Sequence, residues 1–161
     1  DASGGYVLYA RFKVNFTALP TSTGGGNYFA HFREASGGNF RCRIYAGIEG
    51  AAPGTFRLGI RNGFLSPTEF FPQDLLLNQT YVVIARYNTV TGQSTLWINP
   101  TSEASPSVDG PVQSSSDSIL VYTYAFRQAG GIGTMLIDDL AVGTSFDDVL
   151  VTVAPPPEVP K

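Results

Sequence analysis

Apolar residues recur at every second position along most of this chain, in short runs broken by turns rich in glycine, proline and asparagine. A period of two sends alternate side chains to opposite faces of a strand, whereas a helix needs a period near 3.6. The alternation predicts strands at Tyr6–Phe16, Asn27–Ala35, Phe40–Ile48, Thr55–Arg61, Thr80–Asn88, Ser94–Asn99, Ser118–Arg127 and Thr134–Val142. Between them stand Thr23-Gly-Gly-Gly-Asn27, Ser36-Gly-Gly-Asn39, Ala52-Pro-Gly54, Asn62-Gly63, Val90-Thr-Gly92 and Gly130-Gly131. Each offers a preset φ or a left-handed position, as tight connections require. Only Phe71–Leu77 and the segment after Ser145 leave room for a helical turn. Eight strands without crossover helices predict an all-β fold, an antiparallel two-sheet β-sandwich of jelly-roll type.

Length and composition fit that reading. A chain of 161 residues makes one domain and buries enough surface to need no disulfide. Charged residues are only 14% of the chain and the net charge is −3, which argues against nucleic acid as a partner. No run of apolar residues is long enough to insert in a membrane as a helix. The single cysteine, Cys42, excludes an internal disulfide and a cysteine-based metal cluster. The opening Asp1-Ala-Ser-Gly-Gly lacks a charged and apolar leader, so the expectation is a processed secreted chain or a piece of a larger protein. We assign 1–153 to the sandwich. Ala154-Pro-Pro-Pro-Glu-Val-Pro-Lys161 is a Pro-rich linker or tail, extended because proline cannot donate to a ladder and favours polyproline II. Pro100–Ser118 is a long polar loop.

Three segments carry a family resemblance: Asn78-Gln-Thr-Tyr-Val-Val-Ile-Ala-Arg-Tyr-Asn88, Val90-Thr-Gly-Gln-Ser-Thr-Leu-Trp-Ile-Asn-Pro100 and Ile137-Asp-Asp-Leu-Ala-Val-Gly-Thr144. This hairpin and closing strand resemble the LamG-like jelly rolls of secreted bacterial proteins, within the concanavalin A-like lectin/glucanase superfamily. Phe146 stands where that pattern often has tryptophan. The resemblance implies an extracellular or cell-surface module, some relatives lying beside polysaccharide-degrading domains. It further implies that the closing strand contributes a carboxylate, Asp138 or Asp139, to a structural Ca²⁺. Calcium wants six to eight oxygens, which a strand carboxylate and loop carbonyls can supply; solvated acids near a turn are the alternative.

The residues themselves argue against hydrolysis. Retaining and inverting glycosidases need two carboxylates facing one another across the bond they cut. Here Glu34, Glu49, Glu69 and Glu103 stand singly, while Asp138-Asp139 and Asp147-Asp148 are neighbours that a strand would point apart. His31, the only histidine, has no Gly-x-Ser-x-Gly elbow to serve and reads as a sheet-surface residue. The expectation is therefore that the chain is not an enzyme.

A cationic pattern runs through the early strands. With Phe12, Val14 and Phe16 inward, Arg11 and Lys13 face out; with Phe40, Cys42 and Ile44 inward, Arg41, Arg43 and Tyr45 face out. Arg57 and Arg61 alternate likewise with Phe56, Leu58 and Ile60. If these strands share a sheet, Arg11, Arg41, Arg43, Tyr45 and Arg57 form one surface suited to acidic glycans, since guanidinium forks match carboxylate and sulfate. Charged outer faces also keep sheets from sticking to one another, which is the alternative reading. Trp97, the lone tryptophan, is either a packing residue or a platform for a sugar ring. The functional expectation is a non-catalytic carbohydrate-binding or adhesion module with a polysaccharide as partner and neighbouring domains beyond the tail. The alternative is a structural subunit or spacer of an extracellular fibre, able to self-assemble.

Overall fold

The computed structural model describes residues 5–22, 25–34, 38–62, 68–112 and 120–150. Eleven strands and one short helix follow in order. The long strands are β1 (Val7–Ala18), β2 (Asn27–Glu34), β3 (Phe40–Gly47), β4 (Thr55–Arg61), β7 (Thr80–Asn88), β8 (Ser94–Ile98), β10 (Val121–Phe126) and β11 (Thr134–Gly143). Short strands β5 (Glu69–Phe70), β6 (Leu75–Leu76) and β9 (Ser107–Asp109) fill in the connections, and α1 covers Phe146–Val149. All eight expected strands are present. The Phe71–Leu77 segment holds β6 in place of a helical turn, and the Pro100–Ser118 loop contains β9.

One sheet, here called A, runs β11-β1-β7-β8-β9; the other, B, runs β10-β2-β3-β4-β5, with β6 also pairing β4. Every pairing is antiparallel. The inner layer of A supplies Ala10, Phe12, Val14, Phe16, Tyr81, Val83, Ala85, Tyr87, Leu96 and Ile98. Against it B sets Phe29, Ala30, Phe32, Ile44, Ala46, Phe56, Leu58 and Ile60. Phe12 and Phe16 meet Phe29 edge-on at 6.0 and 5.8 Å, which fixes how β1 lies over β2.

A second, smaller cluster lies on the far side of sheet A, where Tyr9, Ile84 and Trp97 are covered by Phe146 and Val149 of α1. The helix is set by a capping box: Ser145 Oγ accepts from Asp148 N at 3.2 Å, and Asp148 Oδ2 accepts from Ser145 N at 2.9 Å. The two apolar residues of the turn then point down onto the sheet. Strand β7 is accordingly covered on both faces, with Val82 and Arg86 partly buried on the α1 side.

Strand β3 departs from simple alternation. Phe32 faces Arg41 and Ala30 faces Ile44, so β3 has one residue more than β2 over that stretch. The extra residue is accommodated by Cys42 in the left-handed region at φ 51, a β-bulge. Its N–H is taken up by Asn62 Oδ1 at 3.0 Å, and Asn62 Nδ2 donates in turn to Gly92 O at 2.6 Å. The bulge flips the strand N-terminal to it: Phe40 lies outside, against His31, and Arg41 lies on the core side beside Tyr87. The expected tail at 154–161 lies outside the described residues.

Candidate functional site

The sandwich separates the cations that the sequence placed together. Because β1 belongs to sheet A, Arg11 and Lys13 lie on the opposite side of the molecule from the arginines of β3 and β4. Arg11 is within 4.0 Å of the Asp139 carboxylate, donates to Asp139 O at 3.3 Å, and shares that carboxylate with Lys13. Lys13, first, and then Arg11 hold the Asp139 carboxyl below its ordinary range. Asp139 sits at a bulge in β11 with φ 54, beside Asp138, which accepts its N–H at 2.8 Å. Among the described residues no three His, Cys, Asp or Glu side chains are grouped to hold a metal.

Trp97 shares this side and is buried to 2%. Phe146 meets it edge-on at 5.4 Å, Arg86 lies 5.4 Å over its ring and its Nε1 donates to Glu103 O at 3.2 Å. The expectation of a sugar platform is corrected, because α1 occupies the place a sugar would take. Glu103 ties the area together by accepting from Tyr9 Oη at 2.8 Å and Arg86 at 3.0 Å. Burial, then Glu103, raises the pKa of Tyr9.

The outer side of sheet B has a different composition. Tyr28 is its hub, with Tyr45, His31 and Phe40 at ring distances of 5.8, 5.5 and 6.2 Å. Arg43 lies over Tyr28 at 5.0 Å and Phe40 at 5.4 Å, Arg61 over Tyr45 at 4.7 Å and Arg127 over Tyr28 at 4.2 Å. Arg43 and Arg61 are direct partners across β3 and β4. Like charges placed opposite destabilise a sheet, and here the aromatic faces beneath them provide the compensation. Burial first, then the charges of Arg43, Arg33 and Arg127, depress His31 to about 4, so it is neutral at physiological pH.

Among the described residues, the buried polar atoms of this layer without a hydrogen-bond partner include His31 Nδ1, the Tyr45 hydroxyl and Arg61 Nε, with His31 and Tyr45 only 5% and 3% exposed. Buried polar groups are nearly always hydrogen-bonded, so this layer has hydrogen-bonding capacity its own side chains do not use. The floor of the candidate site is thus His31, Arg43 and Tyr45. Half-buried Tyr28, Phe40 and Arg61 and exposed Arg33 and Arg127 form its rim.

Of the six ligand-binding candidates, the structure brings Arg43 and Tyr45 into this layer. Arg57 shares the sheet but is held by Asp74, Nε to Oδ1 at 2.6 Å. Arg41 is turned inward by the bulge, Arg11 is on the other sheet and Trp97 is covered. Arg61 was read as outward but not as a site residue, Tyr28 and Arg127 were missed, and His31 was taken for a plain surface residue. Alternation carried the signal for Arg61 and His31, whereas Tyr28 has the parity of Ala30 and Phe32 and reaches the outer face through the register shift between Tyr28 and Ala30. Arg127 closes the expected strand, and β10 ends one residue before it.

No protein-family model matches this sequence, and no curated protein sequence does. The structure is similar to that of alginate lyase from Pseudomonas aeruginosa at a TM-score of 0.55 and 11% identity, over 87% of this chain. This chain spans 65% of the length of the lyase. Native heptameric SAP-like pentraxin from Limulus polyphemus is also similar, at a TM-score of 0.47 and 16% identity, over 88% of this chain and 71% of the pentraxin. At 11% identity the likeness to the lyase is one of fold alone, an antiparallel two-sheet sandwich of jelly-roll type. The lyase also corrects the expectation that the chain is not an enzyme. Missing carboxylate pairs argue against glycoside hydrolysis only, and this fold carries an enzyme that is a lyase.

Proposed function

We propose that the outer face of sheet B binds an acidic polysaccharide through Arg43, Arg61 and Arg127 and the rings of Tyr28, Phe40 and Tyr45. The observation that carries this reading is the cross-strand pair Arg43–Arg61 on an aromatic layer. A carboxylate or sulfate laid between two facing guanidinium groups removes their repulsion and gains charge-assisted, forked hydrogen bonds. The rings beneath hold these guanidinium groups in place, Arg43 and Arg127 over Tyr28 and Arg61 over Tyr45. Alginate, the polymer named for the similar lyase, is a polyuronate and so belongs to this ligand class. Secretion to the cell exterior, where such polymers occur, is part of the same proposal.

Calorimetry of the purified chain with alginate and with a neutral glucan, at low salt and at about 0.5 M, tests it. Alginate binding that weakens with salt and falls about tenfold in Arg61→Ala is expected, from the loss of one charge-assisted contact. Salt-indifferent binding to the neutral glucan, unchanged in Arg61→Ala, would overturn it.

The unpartnered Tyr45 hydroxyl and neutral His31 favour a second reading, in which the bound uronate is also cleaved by elimination. Arginines neutralising the carboxylate would acidify the sugar C5–H. A base takes that proton, the C4–C5 double bond forms, and the C4–O bond breaks as the leaving oxygen is protonated. The unsaturated product absorbs in the ultraviolet. Binding without any such product, under conditions where a control lyase works, would leave the chain a binding module.

A further inference from the structure

Among the described residues, strands β10 and β11 end their two sheets, and residues at both line one gap between the sheets. They do not pair with each other, and the sheets part between them. The gap is a slot of about 280 Å³ lined by Phe29, Phe126, Met135 and Ile137, with Arg127 and Gln128 at its mouth. Phe29 forms the buried floor, and Phe126, braced edge-on against Phe12 at 5.2 Å, forms an exposed wall. Arg127 is fixed at the junction by its N–H, which donates to Phe29 O at 2.7 Å. Its guanidinium lies over Tyr28, so one residue belongs both to the slot and to the rim of the glycan face. Among the described residues no carboxylate is paired with it.

An unsubstituted uronate has little to set against the Phe29, Phe126, Met135 and Ile137 part of the slot, since its surface is mostly hydroxyls. A small acyl ester on the same sugar has a methyl or methylene group to bury. We infer that the slot is a specificity subsite for an O-acyl substituent of the acidic glycan, with Arg127 holding the neighbouring carboxylate. This inference rests on the acidic-glycan reading and adds to it which glycans are preferred. Burying one or two carbons in such a pocket separates ligands by about tenfold or more.

The test compares one alginate preparation in its acetylated form and after mild alkaline deacetylation, by calorimetry on the same chain. The wild type should bind the acetylated polymer about tenfold tighter. Met135→Trp fills the slot and should remove that preference while affinity for the deacetylated polymer stays unchanged. Phe126→Ala, which removes the wall, should lower the preference without filling anything. Equal affinity of the wild type for both polymers overturns the subsite and leaves the acidic-glycan reading standing. Absence of binding to either polymer overturns both.

Discussion

The two outer faces of this sandwich start from the same sequence pattern, basic residues alternating with inward apolar ones, and end in opposite states. On sheet A, Arg11 and Lys13 share Asp139, Arg86 is paired with Glu103, and α1 covers the aromatic residues. On sheet B, no apolar helix is added among the described residues, and Arg43, Arg61 and Arg127 rest on rings. A cation met by a carboxylate of its own chain has little left to offer a ligand. Half-buried Arg61 and exposed Arg127 lie over rings instead, and among the described residues neither is paired with a carboxylate. Sheet B has such a pair too, Arg57 with Asp74, but it lies apart from Arg43, Arg61 and Arg127, whereas Asp139 and Glu103 take up the cations of sheet A.

The largest effect should come from opening the covered face. Phe146 touches Tyr9 edge-on at 6.0 Å and Trp97 at 5.4 Å, and it is buried. Phe146→Ala should cost about 3 kcal/mol or more in thermal or urea unfolding, through lost burial and the cavity left over Trp97. Glycan binding on the other face should be unaffected. A fall in alginate affinity matching the fall in stability would erase the distinction between the faces.

The next effect is a pH dependence that belongs to sheet B alone. Burial and then three arginines depress the folded-state pKa of His31 to about 4, against an ordinary histidine value of 6.5. In that window the unfolded chain binds the proton and the folded chain does not. His31 therefore contributes stability fully above about pH 6.5, and the contribution is lost as pH falls towards 4. The slope inside the window is at most about 1.4 kcal/mol per pH unit. His31→Gln should flatten the curve between those limits. A variant whose melting temperature still falls as steeply would show that other groups carry the dependence. A bound polyanion counters the arginine field, so it should raise the His31 pKa, narrow the window from its low-pH end and reduce the loss.

Which parts were legible follows from how local each signal is. Strand positions were readable because alternation and turn residues are properties of neighbouring residues. Sheet membership was not, since Phe12-Lys13-Val14 looks the same whether β1 joins β3 or, as it does, β7. Arg41 was misplaced because the bulge depends on Cys42 adopting φ 51, which no sequence rule assigns to cysteine, with Asn62 twenty residues on receiving its N–H. Trp97 needed α1, and α1 was visible only as room for a helical turn after Ser145. The site on sheet B was half readable: Arg43 and Tyr45 came from alternation, while Arg127 reaches Tyr28 from the end of β10.

The smallest effect concerns calcium at Asp138 and Asp139, which the family resemblance leads one to propose. The geometry sets the proposal a specific obstacle. Lys13 already contacts the Asp139 carboxylate, with Arg11 close by, so a cation at that oxygen must displace an ammonium group. Binding near its dissociation constant stabilises by about 0.4 kcal/mol. In a chain of this size that is about 1 °C in melting temperature. Lys13→Ala removes the competitor and should enlarge the difference between EDTA and millimolar calcium. If neither the wild type nor Lys13→Ala responds, Asp138 and Asp139 hold no calcium, and Asp139 is the counter-ion that closes sheet A. A clear response in the variant alone would show that the same carboxylate can serve either purpose. The contrast between the faces would then rest on which cation Asp139 holds.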